Sequence, residues 1–476
     1  MAMTYHGILD RDSPVRENFY RVFRCGSRHV VVSEHGSWVA LSGCEHALLK
    51  AGRTAERPKL HSMLKEKGIL LSSDNSFQAL NDYALRKLHL FQGTSLHIVV
   101  PTLRCNQRCS YCQIESRPCS EKGLDMDDET ASKTVDFIFG SPSKNITIEF
   151  QGGEPLLNFG TVRDITGLAK KRNESEKRDL RLAIVTNLTL MDDEKLEFLV
   201  SNGFGICTSF DGPKLLHDSN RKHLSGAGTY DDVTRWISKI KGYGKGARLS
   251  ALTTVTKLSL AHCEEIVDEF VRFGFDRVHL RPVNRLGYAR QAWDEIGYSA
   301  DEYLGFWKRS VDYIVGLNEK GTAISERMVL ILLKKVLGKA DPFFSDLESP
   351  CGAVIGQLAY DQKGDIFCCD EARPYEIFRL GNVKQDTHTG IVSSQKARAI
   401  MSATTNDVYL CDNCAFKPYC GVCAVCSYVS QGSIIGKLPG DFRCKVLHGQ
   451  FSYIFEKLLF SERHRNVFLR WLKAPI

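Results

Sequence analysis

Long apolar runs are missing from this chain of 476 residues. Met328 to Leu333 is six residues, against the roughly 18 that a membrane span needs. The N-terminal stretch Met1-Ala-Met-Thr-Tyr-His-Gly7 has no basic segment followed by an apolar one, so no secretory signal is expected. Charge of one sign is also scarce. A net +7 over 476 residues is too dilute to mark a nucleic-acid binder. Internal repeats and low-complexity tracts are absent. Apolar residues at 43% and charged residues at 25% exclude a mainly disordered, collagen-like or coiled-coil chain. What remains is a length of roughly three domains with apolar mass for a large core. The expected setting is cytoplasmic, with neither nucleic acid nor membrane as partner.

Cysteine is what the chain has in excess. The 17 residues are unevenly spread. Three lie between Cys105 and Cys112, and nine between Cys351 and Cys444. The other five (Cys25, Cys44, Cys119, Cys207, Cys263) are scattered. Clustered cysteine without a secretory signal points to metal or redox chemistry, not to disulfides. Cys207, inside a strand candidate, reads as core packing, and Cys119 as a bystander outside the loop spacing.

Along the chain, Phe19–Arg24, His29–Ser33 and Trp38–Leu41 are short β-type runs separated by turn residues, a meander. Cys44–Ala51 and Pro58–Lys67 follow as helices. The plain reading is a small α+β module. A sharper one is a winged-helix-like module whose edge strand captures an extended peptide. From Ser95 the rhythm changes. Strands are predicted at Leu96–Val100, Ile146–Phe150, Leu180–Thr186, Ile206–Phe210, Leu249–Thr254 and Val278–Leu280. Helices are predicted at Asp127–Phe139, Asp192–Val200, Asp231–Lys241 and Cys263–Phe273. Such alternation gives right-handed βαβ units on a parallel sheet. Six strands are too few for a closed eight-stranded barrel, so an open, partial TIM-like barrel is expected. Its functional groups would lie beyond the strand C-termini. Residues 300–345 read as a helical bridge. The segment from Cys351 to Cys444 has weak periodicity and is expected to lean on metal sites. Val446–Leu472 reads as one or two helices.

The first strand runs into Cys105-x3-Cys109-x2-Cys112. Three thiols within eight residues can hold three corners of a 4Fe–4S cube and leave the fourth iron open. An open position separates a catalytic metal centre from a structural one. A zinc site lacking a ligand, or buried inert cysteines, are the competing readings. This spacing after a first strand resembles the signature of the radical S-adenosylmethionine (SAM) enzymes. Phe150-Gln-Gly152-Gly153-Glu154-Pro155 after the second strand is similar to that family's glycine-rich segment, in which backbone lies close to the ligand. Asn187 ends the third strand. Ser209-Phe-Asp211-Gly-Pro213, with His217 and Arg221 beyond, is similar to the strand-four motif that meets SAM. Turn and surface roles compete for Asp211, His217 and Arg221. Arg281, ending the sixth strand, is expected to face the same cavity. The resemblance implies that SAM occupies the open iron and is cleaved by one electron to methionine and a 5′-deoxyadenosyl radical, which abstracts hydrogen from substrate. The protein orients these groups and excludes water.

The second field, Cys351, Cys368-Cys369-Asp370, Cys411-x2-Cys414-x5-Cys420-x2-Cys423-x2-Cys426 and Cys444, resembles the SPASM extension, which holds two auxiliary 4Fe–4S clusters. By position, Cys411, Cys414, Cys420 and Cys444 would hold one cluster. Cys351, Cys369 and a cysteine after Cys420 would hold the other. The family's last clustered cysteine falls here on Ala424, flanked by Cys423 and Cys426, so the final ligand stays open, and Cys368 could substitute. A zinc ribbon is the alternative. In sulfatase-maturing relatives an aspartate at the place of Asp370 removes the substrate proton, a general-base role. A structural hydrogen bond is the alternative.

Together these features divide the chain into an N-terminal module (1–90), a radical SAM core (91–300), a helical bridge (301–350), a SPASM-like domain (351–445) and a C-terminal helix (446–476). The stretches Val99–Asn106 and Glu149–Asn158 most resemble maturases of the His-Xaa-Ser peptide systems. That resemblance implies three 4Fe–4S clusters and SAM, a ribosomally made precursor peptide as partner, and reduced flavodoxin or ferredoxin as electron donor. The product would be a cross-link or an oxidised residue. The alternatives are a sulfatase-maturase-like protein or small-molecule dehydrogenase and, in another class, a non-catalytic zinc adaptor.

Overall fold

A computed structural model describes residues 15–244, 246–437 and 440–473. The Met1–Gly7 stretch read for a signal lies outside the described residues. Strands β1 (Tyr20–Cys25), β2 (Arg28–Ser33) and β3 (Trp38–Leu41) form the expected antiparallel meander. Helices α1 (Gly43–Lys50), α2 (Pro58–Glu66) and α3 (Ser76–Arg86) follow. α1 begins at Ser42, whose hydroxyl and the Glu45 carboxylate satisfy each other's backbone N–H groups.

The body is one nine-stranded sheet. Its strands are β4 (Leu96–Val99), β5 (Asn145–Phe150), β6 (Asp179–Thr186), β7 (Gly205–Ser209), β8 (Arg248–Val255), β9 (Leu280–Pro282), β10 (Gln357–Tyr360), β11 (Asp365–Phe367) and β12 (Arg379–Asn382). Spatial order is β9-β8-β7-β6-β5-β4-β10-β11-β12. The pairs from β9 to β10 are parallel and the last two antiparallel. The six strands read as parallel are parallel, and the cysteine-rich segment adds a seventh. Its β10 pairs with β4, Gln357 opposite Leu96 and Tyr360 opposite Val99. Its apolar cluster includes Ile98 of β4 beside Val354, Ala359, Phe367 and Phe378. The cysteine-rich segment thus shares its core with a side chain from the main sheet.

Helices α4 (Asp128–Phe139), α5 (Phe159–Glu176), α6 (Asp193–Ser201), α7 (Tyr230–Gly242) and α8 (Cys263–Arg272) cover the outer face. α4 and α6 start where Asp127 and Asp192 accept from the N–H three residues on, with acidic first turns suited to the helix dipole. The expected strand Val278–Leu280 is two pieces. Arg277–Val278 pairs with Ser325–Glu326, and Leu280 passes to β8. Helices α9 (Ala300–Glu319), α10 (Arg327–Leu337), α11 (Ala424–Gln431), α12 (Phe442–Phe460) and α13 (Glu462–Lys473) complete the chain. No described helix is long and apolar enough to cross a membrane.

Candidate active site

The inward faces of the parallel strands enclose a cavity of about 960 Å³. Its wall carries Cys105, Cys109 and Cys112 on one side and Asp370 and Cys426 on another. The three-cysteine loop follows β4 and is held by its backbone. Arg108 N donates to Lys222 O at 2.8 Å, Ser110 N to Asn220 O at 2.9 Å, and Tyr288 N to Cys112 O at 2.9 Å. Burial pushes the Cys109 thiol up to about 11 against the opposing pull of Arg221, and raises Cys105 as well. Thiols in such surroundings stay protonated unless a metal takes the proton's place.

Beneath the loop lies a network that sequence reading did not resolve. The Tyr111 hydroxyl donates to the Asp211 carboxylate at 2.8 Å and accepts from Arg221 Nη1 at 2.8 Å. Arg221 Nη2 donates to Gln107 Oε1 at 3.1 Å. Asp211 also accepts from Asn220 Nδ2, and its own N–H donates to His217 Nδ1. Burial lifts the Asp211 carboxyl to about 6. Asp211 and His217 are fully buried and support the loop from behind, while Arg221 reaches the cavity.

The glycine-rich segment also serves the chain's own packing. A Cβ on Gly152 would run into the Thr102 carbonyl, and one on Gly153 into the Arg104 carbonyl. These glycines let the end of β5 lie against the cysteine loop, with Gly153 N donating to Thr102 O at 3.0 Å. Only glycine fits there, and Gly152 has φ +131°. The Glu154 carboxylate is engaged by Thr186 Oγ1 (2.7 Å), Asn187 N (2.8 Å) and Leu156 N (3.0 Å), tying β5 to β6. Pro155 opens a short 3₁₀ turn behind the cavity wall. Asn187 and Ser209 both line the cavity. Cys207, expected in the core, lines it too, since it shares the inward face with Ser209 two residues on. The same period places Glu149 and Gln151 inward, with His279 and Arg281 on the next wall. Gln151 Nε2 donates to Glu149 Oε1 at 2.6 Å. Arg281 is paired with Glu371 at 2.8 Å. Asp370 accepts from Gln113 Nε2 at 3.2 Å and is ion-paired with Arg373.

All 17 cysteines are free thiols. In the second field they fall into two groups by which charges they feel. Cys411, Cys414, Cys420 and Cys444 face one another. Cys351, Cys369 and Cys426 all face Cys423, and the Cys368 sulfur lies 4.0 Å from that of Cys369. Among the described residues no three His, Cys, Asp or Glu side chains are placed to hold a single metal ion. Thiol donor sets suit either an iron–sulfur group or zinc. Buried donors left without partners, Gln107 Nε2 and Arg221 Nε by the loop and Arg443 Nε by the second field, fit a group bound there.

Residues 99–270 match the radical SAM superfamily. That stretch runs from the last residue of β4 through the three-cysteine loop and β5–β8. The chain is 26% identical over 377 residues to the cysteine-type anaerobic sulfatase-maturating enzyme of Clostridium perfringens strain 13, over 77% of this chain and 97% of that one. The fold is similar to that of native anSMEcpe with bound AdoMet (TM-score 0.66, 22% identity, 79% of this chain and 100% of that one). It is similar too to that of Streptococcus suis SuiB bound to the precursor peptide SuiA (TM-score 0.54, 14% identity, 88% and 98%).

Proposed function

We propose that this radical SAM enzyme modifies a ribosomally made precursor peptide by removing hydrogen from one of its residues, leaving a cross-link or an oxidised residue. The observation that carries this reading is the single cavity bounded by the three-cysteine loop, Asp370 and Cys426. Substrate held there meets the first cysteine region and the second at once. The solved relatives with bound peptides, anSMEcpe with Cp18Cys and SuiB with SuiA, favour a peptide over a small molecule. Within peptide maturases, the stretches Val99–Asn106 and Glu149–Asn158 favour the His-Xaa-Ser type.

Cys105, Cys109 and Cys112 would hold a 4Fe–4S cluster, with SAM along Gly152, Gly153, Asn187, Ser209 and Arg221. Bound there, the pair supplies a hydrogen-abstracting deoxyadenosyl radical. Arg221 offers its unpaired Nε–H toward that region, and Tyr111 fixes its guanidinium. Asp370 would accept the substrate proton. Its ion pair with Arg373 holds the carboxylate in the cavity wall. Arg281, neutralised by Glu371, shapes the wall. Cys411, Cys414, Cys420 and Cys444 would hold one auxiliary cluster. Cys351, Cys369, Cys423 and Cys426 would hold the other, with Cys368 spare. The electron donor would be reduced flavodoxin or ferredoxin.

The winged-helix-like module would bind the peptide's leader. It is fastened to the body, Trp38 Nε1 donating to Val336 O at 2.9 Å and Tyr419 OH to Gly36 O at 2.8 Å. Deleting residues 1–90 would therefore uncover core, and truncating the peptide's leader is the cleaner test. The deciding experiment is anaerobic co-expression with a candidate precursor peptide, followed by mass spectrometry. A loss of two hydrogens is expected. An unmodified peptide alongside released deoxyadenosine would overturn the substrate. A sulfatase-derived peptide oxidised instead would favour the second reading, which the 97% coverage of the Clostridium enzyme motivates.

A further inference from the structure

One cation serves both cysteine groups of the C-terminal region. Arg443 opens α12 beside Cys444. Its charge acts on Cys351, Cys423 and Cys426 of one group and on Cys420 of the other. Nη2 donates to the main-chain carbonyl of Asp346, not to its carboxylate. The Nε–H is buried without a partner. The Asp346 carboxylate is the largest opposing charge acting on the guanidinium. A buried donor is rarely left unpaired, and Arg443 lines the cavity together with Cys426 and Asp346.

Net charge and hydrogen bonds to sulfur set the potential of an iron–sulfur group. A fixed cation stabilises the reduced form, which carries one more negative charge, and an N–H donated to sulfur acts the same way. We propose that Arg443 is a positioning residue that raises the reduction potential of the group held by Cys351, Cys369, Cys423 and Cys426, so that this group takes the electron left on the substrate. In that step the substrate radical loses one proton to a base and one electron to an oxidised iron–sulfur group, which is reduced by one. The hydrogen atom has already passed to the deoxyadenosyl radical. This inference rests on the oxidative reading above and on an iron–sulfur group at those four cysteines.

The test uses the full chain carrying Cys105→Ala, Cys109→Ala and Cys112→Ala, so that only auxiliary groups titrate. Redox titration followed by electron paramagnetic resonance would compare Arg443→Gln, Arg443→Lys and Asp346→Asn at matched iron content. Arg443→Gln is expected to move the midpoint to a more negative potential, Arg443→Lys to stay near the parent, and Asp346→Asn to move it positive. An unmoved midpoint in Arg443→Gln overturns the inference, as does iron loss in Arg443→Gln and Arg443→Lys alike, which would make Arg443 a structural support. Failure of the underlying reading looks different. Iron content would then be unchanged by Cys351→Ala and Cys426→Ala, with no auxiliary group there to tune.

Discussion

Cys105, Cys109 and Cys112 arrive together on one loop of eight residues, braced by backbone hydrogen bonds to Lys222, Asn220 and Tyr288. Cys351, Cys369, Cys423 and Cys426 are collected from three separate stretches, around a core that includes Ile98 of the main sheet. The first region is prearranged by local geometry on a rigid parallel sheet, with an arginine–tyrosine–aspartate network beneath it. The second shares its apolar core with the main sheet. Its arrangement depends on the neighbours and, on the reading above, on the groups its thiols hold. A loop that binds a reactive cofactor through three thiols needs a scaffold that does not move. A ligand set with all positions filled can help build its own scaffold.

That contrast can be broken most sharply at the first region. Cys105→Ala, Cys109→Ala or Cys112→Ala should abolish deoxyadenosine release, measured by chromatography after anaerobic reduction. About eight of an expected roughly twelve irons should remain, since the fold there does not lean on the metal. Retained SAM cleavage would end the account of this loop. In the second region, Cys414→Ala or Cys420→Ala should remove about four irons and also lower the melting temperature by several degrees, because metal binding there contributes folding energy. Equal thermal losses from Cys109→Ala and Cys414→Ala would erase the distinction between the two regions.

Asp370→Asn, between the regions, should leave SAM cleavage near normal and reduce peptide product by at least 10²-fold, the usual scale of general-base loss. Undiminished product would remove Asp370 from the proton step. Tyr111→Phe takes one hydroxyl from the network under the loop and should destabilise the protein by about 1–3 kcal/mol in urea unfolding. A neutral result would mean the loop is braced by backbone alone.

A pH effect concerns the helical scaffold beside the cavity. Burial raises the Glu326 carboxyl from 4.5 to about 7. Its folded pKa exceeds its unfolded one, so its contribution is fully present below about pH 4.5 and lost as pH rises through 7. The swing is on the order of 3 kcal/mol. Glu326→Gln should flatten that part of the stability–pH curve, and an unchanged slope would show that other groups set it.

Much of this was legible in the residues themselves. The six parallel strands stood out because β-branched and apolar side chains bunch between turn residues. α4, α6 and α8 carry acidic starts and clean apolar stripes. α5 escaped notice because its buried positions, Phe159, Val162, Ile165 and Ala169, are diluted by Gly160, Gly167 and a run of charges. The break at His279 escaped because one short apolar stretch serves two different partners. Cys207 was misplaced because a strand pattern gives alternation without saying which face is inside. Arg443 carried no motif at all.

By itself the sequence determined the cysteine spacings, the glycines that permit close backbone approach, and the order of strands and helices, because these depend on local covalent reach and periodicity. Only the tertiary structure decided that the cysteine-rich segment adds β10 to the main sheet beside β4, and that Arg443 lines the same cavity as Cys426 and the three-cysteine loop. The reason is physical. Which distant groups become neighbours is set by how the whole chain buries its apolar surface, and no short stretch encodes that.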